Sequence, residues 1–494
     1  MGYSVARFSA AQLFNDLTSQ PCIIDDATGN LRAKYLYGYL KYIGAATIVT
    51  EHEYIDADYL DDFASFYVKS FAHIPNRCRR LHFFAKEFDE ATFAQMVKGE
   101  ADTSLLEKQY LGFVVARPLP SAIIGRTVVQ TYPSDGGRRW YTCLRPYKVS
   151  LFGIEMQLDS LAFQEQDTSL AACATVALWS CFQKTRDIFH SGLPSPVQIT
   201  HAANRILRSA RPFPSRGLTI EQVCNAIASV GLDPEVYWVQ PNLPLVSMAY
   251  SYLKLGVPVM LIFNVQNIGL HGVALNGYSL RDSVQVTNEG GSGVLPALIG
   301  RRIDEFYCHD DQAGPFSKLK IVPAADNKSI VKFTADNWNG ELTPYAVVVP
   351  VHPKIRTGFR EVISNWIPRL SSLLSLVRDA AKFEWDIFLT SSNELKSITR
   401  TDHKAFPAGV RDELLVEGLP KYVWRCILRI DGNSALEMLL DTTEMVRGFP
   451  VLRIWWTDQA LKAQLAPVTD PNLSLGFVTI LTQRLYDSVK AGLT

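Results

Sequence analysis

Residues 164–189 read QEQDTSLAACATVALWSCFQKTRDIF. The polar stretch Gln164–Ser169 interrupts the chain. From Leu170 onward the apolar residues Leu170, Ala174, Ala177, Leu178, Cys181 and Phe182 recur three and four apart, which lays them along one helix face. Asp167, Thr168 or Ser169 can supply the N-cap oxygen, so the spacing predicts a helix over Leu170–Phe189. Cys173 then falls in its first turn, where unsatisfied backbone N–H groups and the helix dipole lower the pKa of a thiol. Gln166, seven residues upstream in the entering loop, is positioned to offer its side-chain amide to an oxyanion, with Gln164 as the alternative.

A thiol nucleophile needs a base from elsewhere in the chain. The segment His271-Gly272-Val273-Ala274-Leu275-Asn276-Gly277-Tyr278 alternates as a strand does and leaves its histidine at the beginning, near a rim. A third group should accept a hydrogen bond from the other ring nitrogen. The next strand ends in Phe306-Tyr307-Cys308-His309-Asp310-Asp311, which nominates Asp310, with Asp311 in reserve. Taken singly, Cys173 reads as a core cysteine, His271 as a strand-end histidine and Asp310 as a turn carboxylate. Their conjunction and order carry the catalytic reading.

These residues resemble the papain-like cysteine peptidases, and within them the bacterial double-glycine leader peptidases. The similarity rests on the order Gln, Cys, His, Asp, the cysteine at the front of a central helix, the strand entry Gly256-Val257-Pro258-Val259 and the His-Gly-Val-Ala-Leu-Asn-Gly-Tyr strand. It covers roughly residues 155–325. The resemblance implies an α+β fold, a central helix packed on an antiparallel sheet, and a Cys173–His271–Asp310 triad with Gln166 at the oxyanion. Cys173 is followed by Ala174 where many relatives carry Gly or Trp, and a loop through Gly290–Arg302 is inserted between histidine and aspartate.

The remaining sequence bounds the function. At 494 residues, with 47% hydrophobic and 20% charged residues, the chain is of globular type and long enough for several domains. Lys and Arg number 49, as do Asp and Glu, so no overall field draws it to nucleic acid or to an anionic membrane. Its longest apolar run, Val257–Val265, is far short of a membrane span, and Met1–Ala10 shows no export or myristoylation signal. The eight cysteines form no CxxC pair, which favours a reducing cytoplasm over a disulfide or zinc framework. The cluster Cys308–Asp311 lacks the second ligand group a metal would need, and Asn288–Gly293 reads as a hairpin turn rather than a phosphate loop. Trp424, Trp455 and Trp456 read as core or interface aromatics, since no basic stripe flanks them.

Composition shifts divide the chain into an α+β module at 1–150, the hydrolase core at 151–328 and a second α/β or α+β module at 329–494. In the N-terminal part, Tyr110–Ala116 reads as a buried strand and Asp56–Phe71 as a helix. Thr127–Thr131 and Tyr141–Leu144 read as a strand pair about Ser134–Gly137, and Arg356–Asp379 as one amphipathic helix. The expectation is a cytoplasmic thiol hydrolase, a peptidase or isopeptidase, that needs no metal or cofactor. It would take a protein or peptide substrate and could take a regulatory protein partner, with no nucleic acid or membrane. Two alternatives stand beside it: acyl transfer to an amine on the same site, as in transglutaminase-like proteins, and an inert fold of this type used for interaction.

Overall fold

The computed structural model describes residues 2–19, 30–120, 122–167, 169–205, 217–241, 243–266, 268–281, 297–324, 329–402, 406–444, 448–466 and 480–492. The expected hairpin turn at 288–293 lies outside them. So does Cys22.

The helix that carries Cys173 runs Cys173–Phe189, starting three residues later than the apolar spacing predicts. Asp167 is the reason. Its Oδ1 accepts the N–H groups of Ser169 (2.9 Å), Leu170 and Ala171 (3.3 Å), drawing 169–171 into a turn of their own ahead of the helix. The true N-cap is Ala172, an extended residue with no side-chain oxygen to offer. The first turn therefore has no side-chain cap, and its Thr175 N–H turns back to the Ala172 carbonyl at 3.0 Å. His190 closes the helix in the left-handed region at φ 59°, giving its N–H to the Arg186 carbonyl at 3.0 Å. Trp179, Leu178, Cys181 and Phe182 along this helix are all completely buried.

The helix packs on an antiparallel sheet whose strands, in spatial order, are Lys332–Thr334, Gly314–Val322, Ile303–Asp310, Gly269–Leu280, Val259–Val265, Thr343–Val351 and Asp233–Trp238. Gly269–Leu280 carries His271, Ile303–Asp310 carries Asp310, and the two are direct neighbours. A two-residue strand, Arg139–Trp140, pairs with the far end of the histidine strand. Residues 259–263 and 346–351 are buried at every position, as apolar runs covered on both faces are. The sheet does not stop at 328. Thr343–Val351, assigned from composition to the C-terminal module, lies inside it between Val259–Val265 and Asp233–Trp238. The polar loop at 335–340 mimics a domain linker, but it joins two strands of one sheet.

Upstream, Tyr3–Arg7, Thr47–Tyr54, Cys78–Phe84, Tyr110–Ala116 and Ile124–Val129 form a second antiparallel sheet in that order. The expected pairing of 127–131 with 141–144 does not form. Asp135, Gly136 and Gly137 do turn the chain, all at positive φ, but they send Arg139–Trp140 into the sheet that carries His271 while Ile124–Val129 pairs back on Tyr110–Ala116. A hairpin, Arg145–Leu151 with Ile154–Ser160, follows.

Downstream, Ala297–Leu298, Phe383–Ser391, Tyr422–Ile430, Asn433–Asp441 and Val451–Trp456 make a third sheet, its first pairing parallel and the others antiparallel. Arg356–Asp379 is not one helix. It breaks into Phe359–Glu361, a π turn at Val362–Trp366 and Ile367–Leu374, with Pro368 removing a donor where a continuous helix would need it. The segment leading into the aspartate strand binds the third sheet to the central one: Arg302 Nε meets Glu384 at 2.7 Å, and Gly300 presses on the helix Leu245–Leu253. A Cβ at Gly300 would lie 2.4 Å from Ser247 Cα, a backbone atom that cannot swing aside. Gly300→Ala is thus expected to lower the stability measured by urea denaturation by about 1–3 kcal/mol, the usual range for overpacking.

Candidate active site

The strand pairing fixes where the candidate residues meet. His271 sits opposite Phe263 near the start of its strand, and Asp310 ends the neighbouring one. Between them His271 Nε2 and Asp310 Oδ1 are 2.8 Å apart, with both side chains almost fully buried. Cys173 approaches from the helix. A Cβ added to Gly272 would lie 3.8 Å from Ala174 Cα, so the first helical turn rests directly on the residue after the histidine. The tight contact such a Cβ would make, 2.8 Å, is with the flexible end of Met260. Nε2 is taken by Asp310, which leaves Nδ1 as the ring nitrogen open to Cys173, a residue close enough to raise the imidazole pKa.

The electrostatics follow from this geometry. Burial works to lower the His271 pKa, but the charge and hydrogen bond of Asp310, the hydrogen bond from Cys173 and the charge of Asp311 together raise it well above the ordinary histidine value. Asp310 is shifted the opposite way. Burial alone would raise it, yet His271, the Gln312 N–H and the Asn337 amide hold its carboxyl below the usual carboxylate range. Cys173 is partly exposed, whereas Cys181, Cys308 and Cys426 are buried thiols whose pKa values burial pushes up.

Asp310 accepts four hydrogen bonds. Oδ1 takes His271 Nε2 and the Gln312 N–H (2.9 Å), and Oδ2 takes Asn337 Nδ2 and Trp338 Nε1, both at 2.9 Å. The Trp338 ring also covers His271 edge-on at 5.0 Å between centroids. Asn337 and Trp338 come from the polar loop at 335–340, and sequence reasoning passed over both. The legible signal was the tryptophan itself, since an indole in a polar loop has to be covered by something.

His271, Asp310 and Asp311 lie close enough together to suggest a metal site, with ligand atoms all within 4.8 Å of one another. The donor set argues otherwise, because a cation would have to displace N–H donors already bonded to both oxygens of Asp310. Asp311 is the weaker neighbour. It stands 3.6 Å from His271 Nε2, and burial together with the Asp310 charge raises its pKa to about 6. A raised carboxyl pKa costs stability as pH climbs from the ordinary carboxylate value through that point. Asp311→Asn is therefore expected to stabilise the protein above pH ~6, the opposite of any change at Asp310, with turnover within a few-fold of wild type. Denaturation midpoints at acid and neutral pH check this.

The two glutamine candidates both occupy the loop that enters the helix. Gln166 is half-buried. Gln164 is buried, and its Nε2 has no hydrogen-bond partner among the described residues. An unmet buried donor costs about 1–3 kcal/mol, a penalty that a transient oxyanion would relieve. That moves weight from Gln166 toward the alternative, Gln164. Among the described residues no helix is long and apolar enough to cross a membrane. The sequence matches no protein-family model and no curated protein.

Proposed function

We propose that the chain is a papain-like thiol hydrolase, a peptidase or isopeptidase, in which Cys173 attacks a carbonyl and His271 moves the proton. The observation that carries the reading is the buried His271–Asp310 pair at 2.8 Å beside the first turn of the Cys173 helix. A raised imidazole pKa keeps the ring protonated beside the sulfur, which favours the thiolate–imidazolium form.

In the first step the thiolate adds to the carbonyl carbon, and the oxyanion draws on the Cys173 N–H and a glutamine amide, Gln164 or Gln166. His271 then protonates the leaving amine as the C–N bond breaks, giving a thioester. Water, deprotonated by His271, resolves it and frees the carboxylic acid. In this reading Asp310 keeps the ring proton on Nε2, which leaves Nδ1 to serve the sulfur. A protein or peptide substrate fits this chemistry. Seven described cysteines carry no disulfide, which supports a reducing, cytoplasmic setting.

The test is acyl-enzyme trapping with p-nitrophenyl acetate. The expected result is a burst of p-nitrophenolate and an acetyl group on the Cys173 peptide, absent in Cys173→Ala. Acetylation spread over other nucleophiles, or unchanged in that variant, would contradict the proposal and favour an inert interaction fold.

A further inference from the structure

The loop before Cys173 does not belong to the hydrolase sheet. Phe163 exchanges both backbone hydrogen bonds with Thr127 (2.7 and 2.9 Å), the Glu165 N–H reaches the Ile124 carbonyl at 3.1 Å, and Ser160 Oγ bonds the Val129 carbonyl at 2.6 Å. Residues 160–165 thus extend the N-terminal sheet along the free edge of Ile124–Val129. Alternation along this extended piece turns Phe163 and Glu165 one way and Gln164 the other.

Glu165 is the fixed point. Its carboxylate is fully buried, pairs with Arg32 of the helix Leu31–Tyr42 and accepts the Ile124 N–H at 3.0 Å. The Arg117 guanidinium holds the Glu165 carbonyl at 2.9 Å and the carbonyls of Ala122 and Ile124 at 3.0 and 3.2 Å. Arg117 lies flat across Gly125, where a Cβ would be 2.8 Å from its Cγ. Farther along the same loop, Asp167, whose carboxylate holds the turn before the helix, lies close enough to Tyr67 of the N-terminal part to raise its pKa. Both glutamines that could meet an oxyanion are therefore carried on a segment anchored from outside the hydrolase sheet.

We infer that Arg32 and Glu165 are positioning residues for the oxyanion side of the thiol site: the N-terminal module completes the site by gripping the loop next to Gln164 and Gln166. The inference rests on the proposed thiol chemistry. Arg32 pairs with the loop and its charge reaches Asp311, but no described contact joins it to Cys173 or His271, so its loss should separate two reactions of Cys173. Iodoacetamide is displaced at a saturated carbon: the C–S bond forms as iodide leaves, and no oxyanion arises. With p-nitrophenyl acetate the sulfur adds to a carbonyl, and p-nitrophenolate leaves only after an oxyanion has formed.

Both rates would be measured at pH 6–7 on the full-length wild type, Arg32→Met, Arg32→Lys and Glu165→Gln, with circular dichroism to confirm folding. For Arg32→Met the expected result is iodoacetamide alkylation within about twofold of wild type and acylation lowered on the order of tenfold or more. Arg32→Lys should recover part of the acylation, because its cation can still meet Glu165. Glu165→Gln should behave like Arg32→Met. Unchanged acylation in Arg32→Met, or a parallel fall in both rates without rescue by lysine, would overturn the inference. If Arg32→Met fails to fold, the same ratio in Arg32→Lys and Glu165→Gln decides. A wild-type protein whose Cys173 reacts slowly with both reagents would overturn the thiol hydrolase itself, a distinct outcome.

Discussion

Asp310→Asn is expected to lower acyl turnover by roughly 10³-fold or more, an effect of the size seen when a triad carboxylate becomes an amide. Every partner of Asp310 is a donor: His271 Nε2, the Gln312 N–H, Asn337 Nδ2 and Trp338 Nε1. An amide has one accepting end. If its oxygen faces His271, its NH2 group meets the Asn337 and Trp338 donors head-on. If it is flipped to satisfy those two, the NH2 faces Nε2, the ring must accept there, and its proton moves to Nδ1. An imidazole protonated at Nδ1 cannot take a proton from Cys173. Steady-state hydrolysis of p-nitrophenyl acetate checks the magnitude, and Asp311→Asn serves as the matched control.

His271→Ala is expected to cost about 3–5 kcal/mol of stability, because it leaves a buried carboxylate without its cation. The pH dependence of that loss has a definite sign. The folded pKa of His271 is raised, so its contribution is complete below the ordinary histidine value of ~6.5, declines above it and is gone once the folded value is passed. The folded pKa of Asp310 is lowered, so its contribution is complete above ~3.9, declines below that and is gone beneath the folded value. The stability gap between wild type and His271→Ala should therefore be widest between about pH 4 and 6.5 and narrow on both sides. Urea midpoints at four or five pH values give the curve. A gap that widened steadily above pH 8 would mean that His271 is buried as the neutral ring.

Cys173, His271 and Asp310 are legible in the sequence because each stands where a pattern changes: polar loop to helix, loop to alternating strand, strand to turn. Tyr110–Ala116 is legible in full, since seven apolar residues bounded by a polar break can only be a covered strand. Other features depend on partners far away in the chain. Thr343–Val351 looks like the start of a new domain until its two neighbours, Val259–Val265 and Asp233–Trp238, are known. Aspartate suits a helix N-cap and a turn alike, and here the Asp167 carboxylate takes the N–H groups of Ser169 and Ala171. Asn337, Trp338 and Arg32 could not be read as site residues, because the contacts that recruit them span 27, 28 and 133 positions.

The most direct test of a thiolate–imidazolium pair is the pH profile of Cys173 alkylation by iodoacetamide, read by peptide mass spectrometry in wild type and His271→Ala. The expected wild-type profile stays high down to pH ~6, while Cys181 and Cys224 lag and His271→Ala reacts only as alkaline pH ionises its thiol. A wild-type profile superimposable on that of His271→Ala, with Cys173 no faster than Cys224, would contradict it.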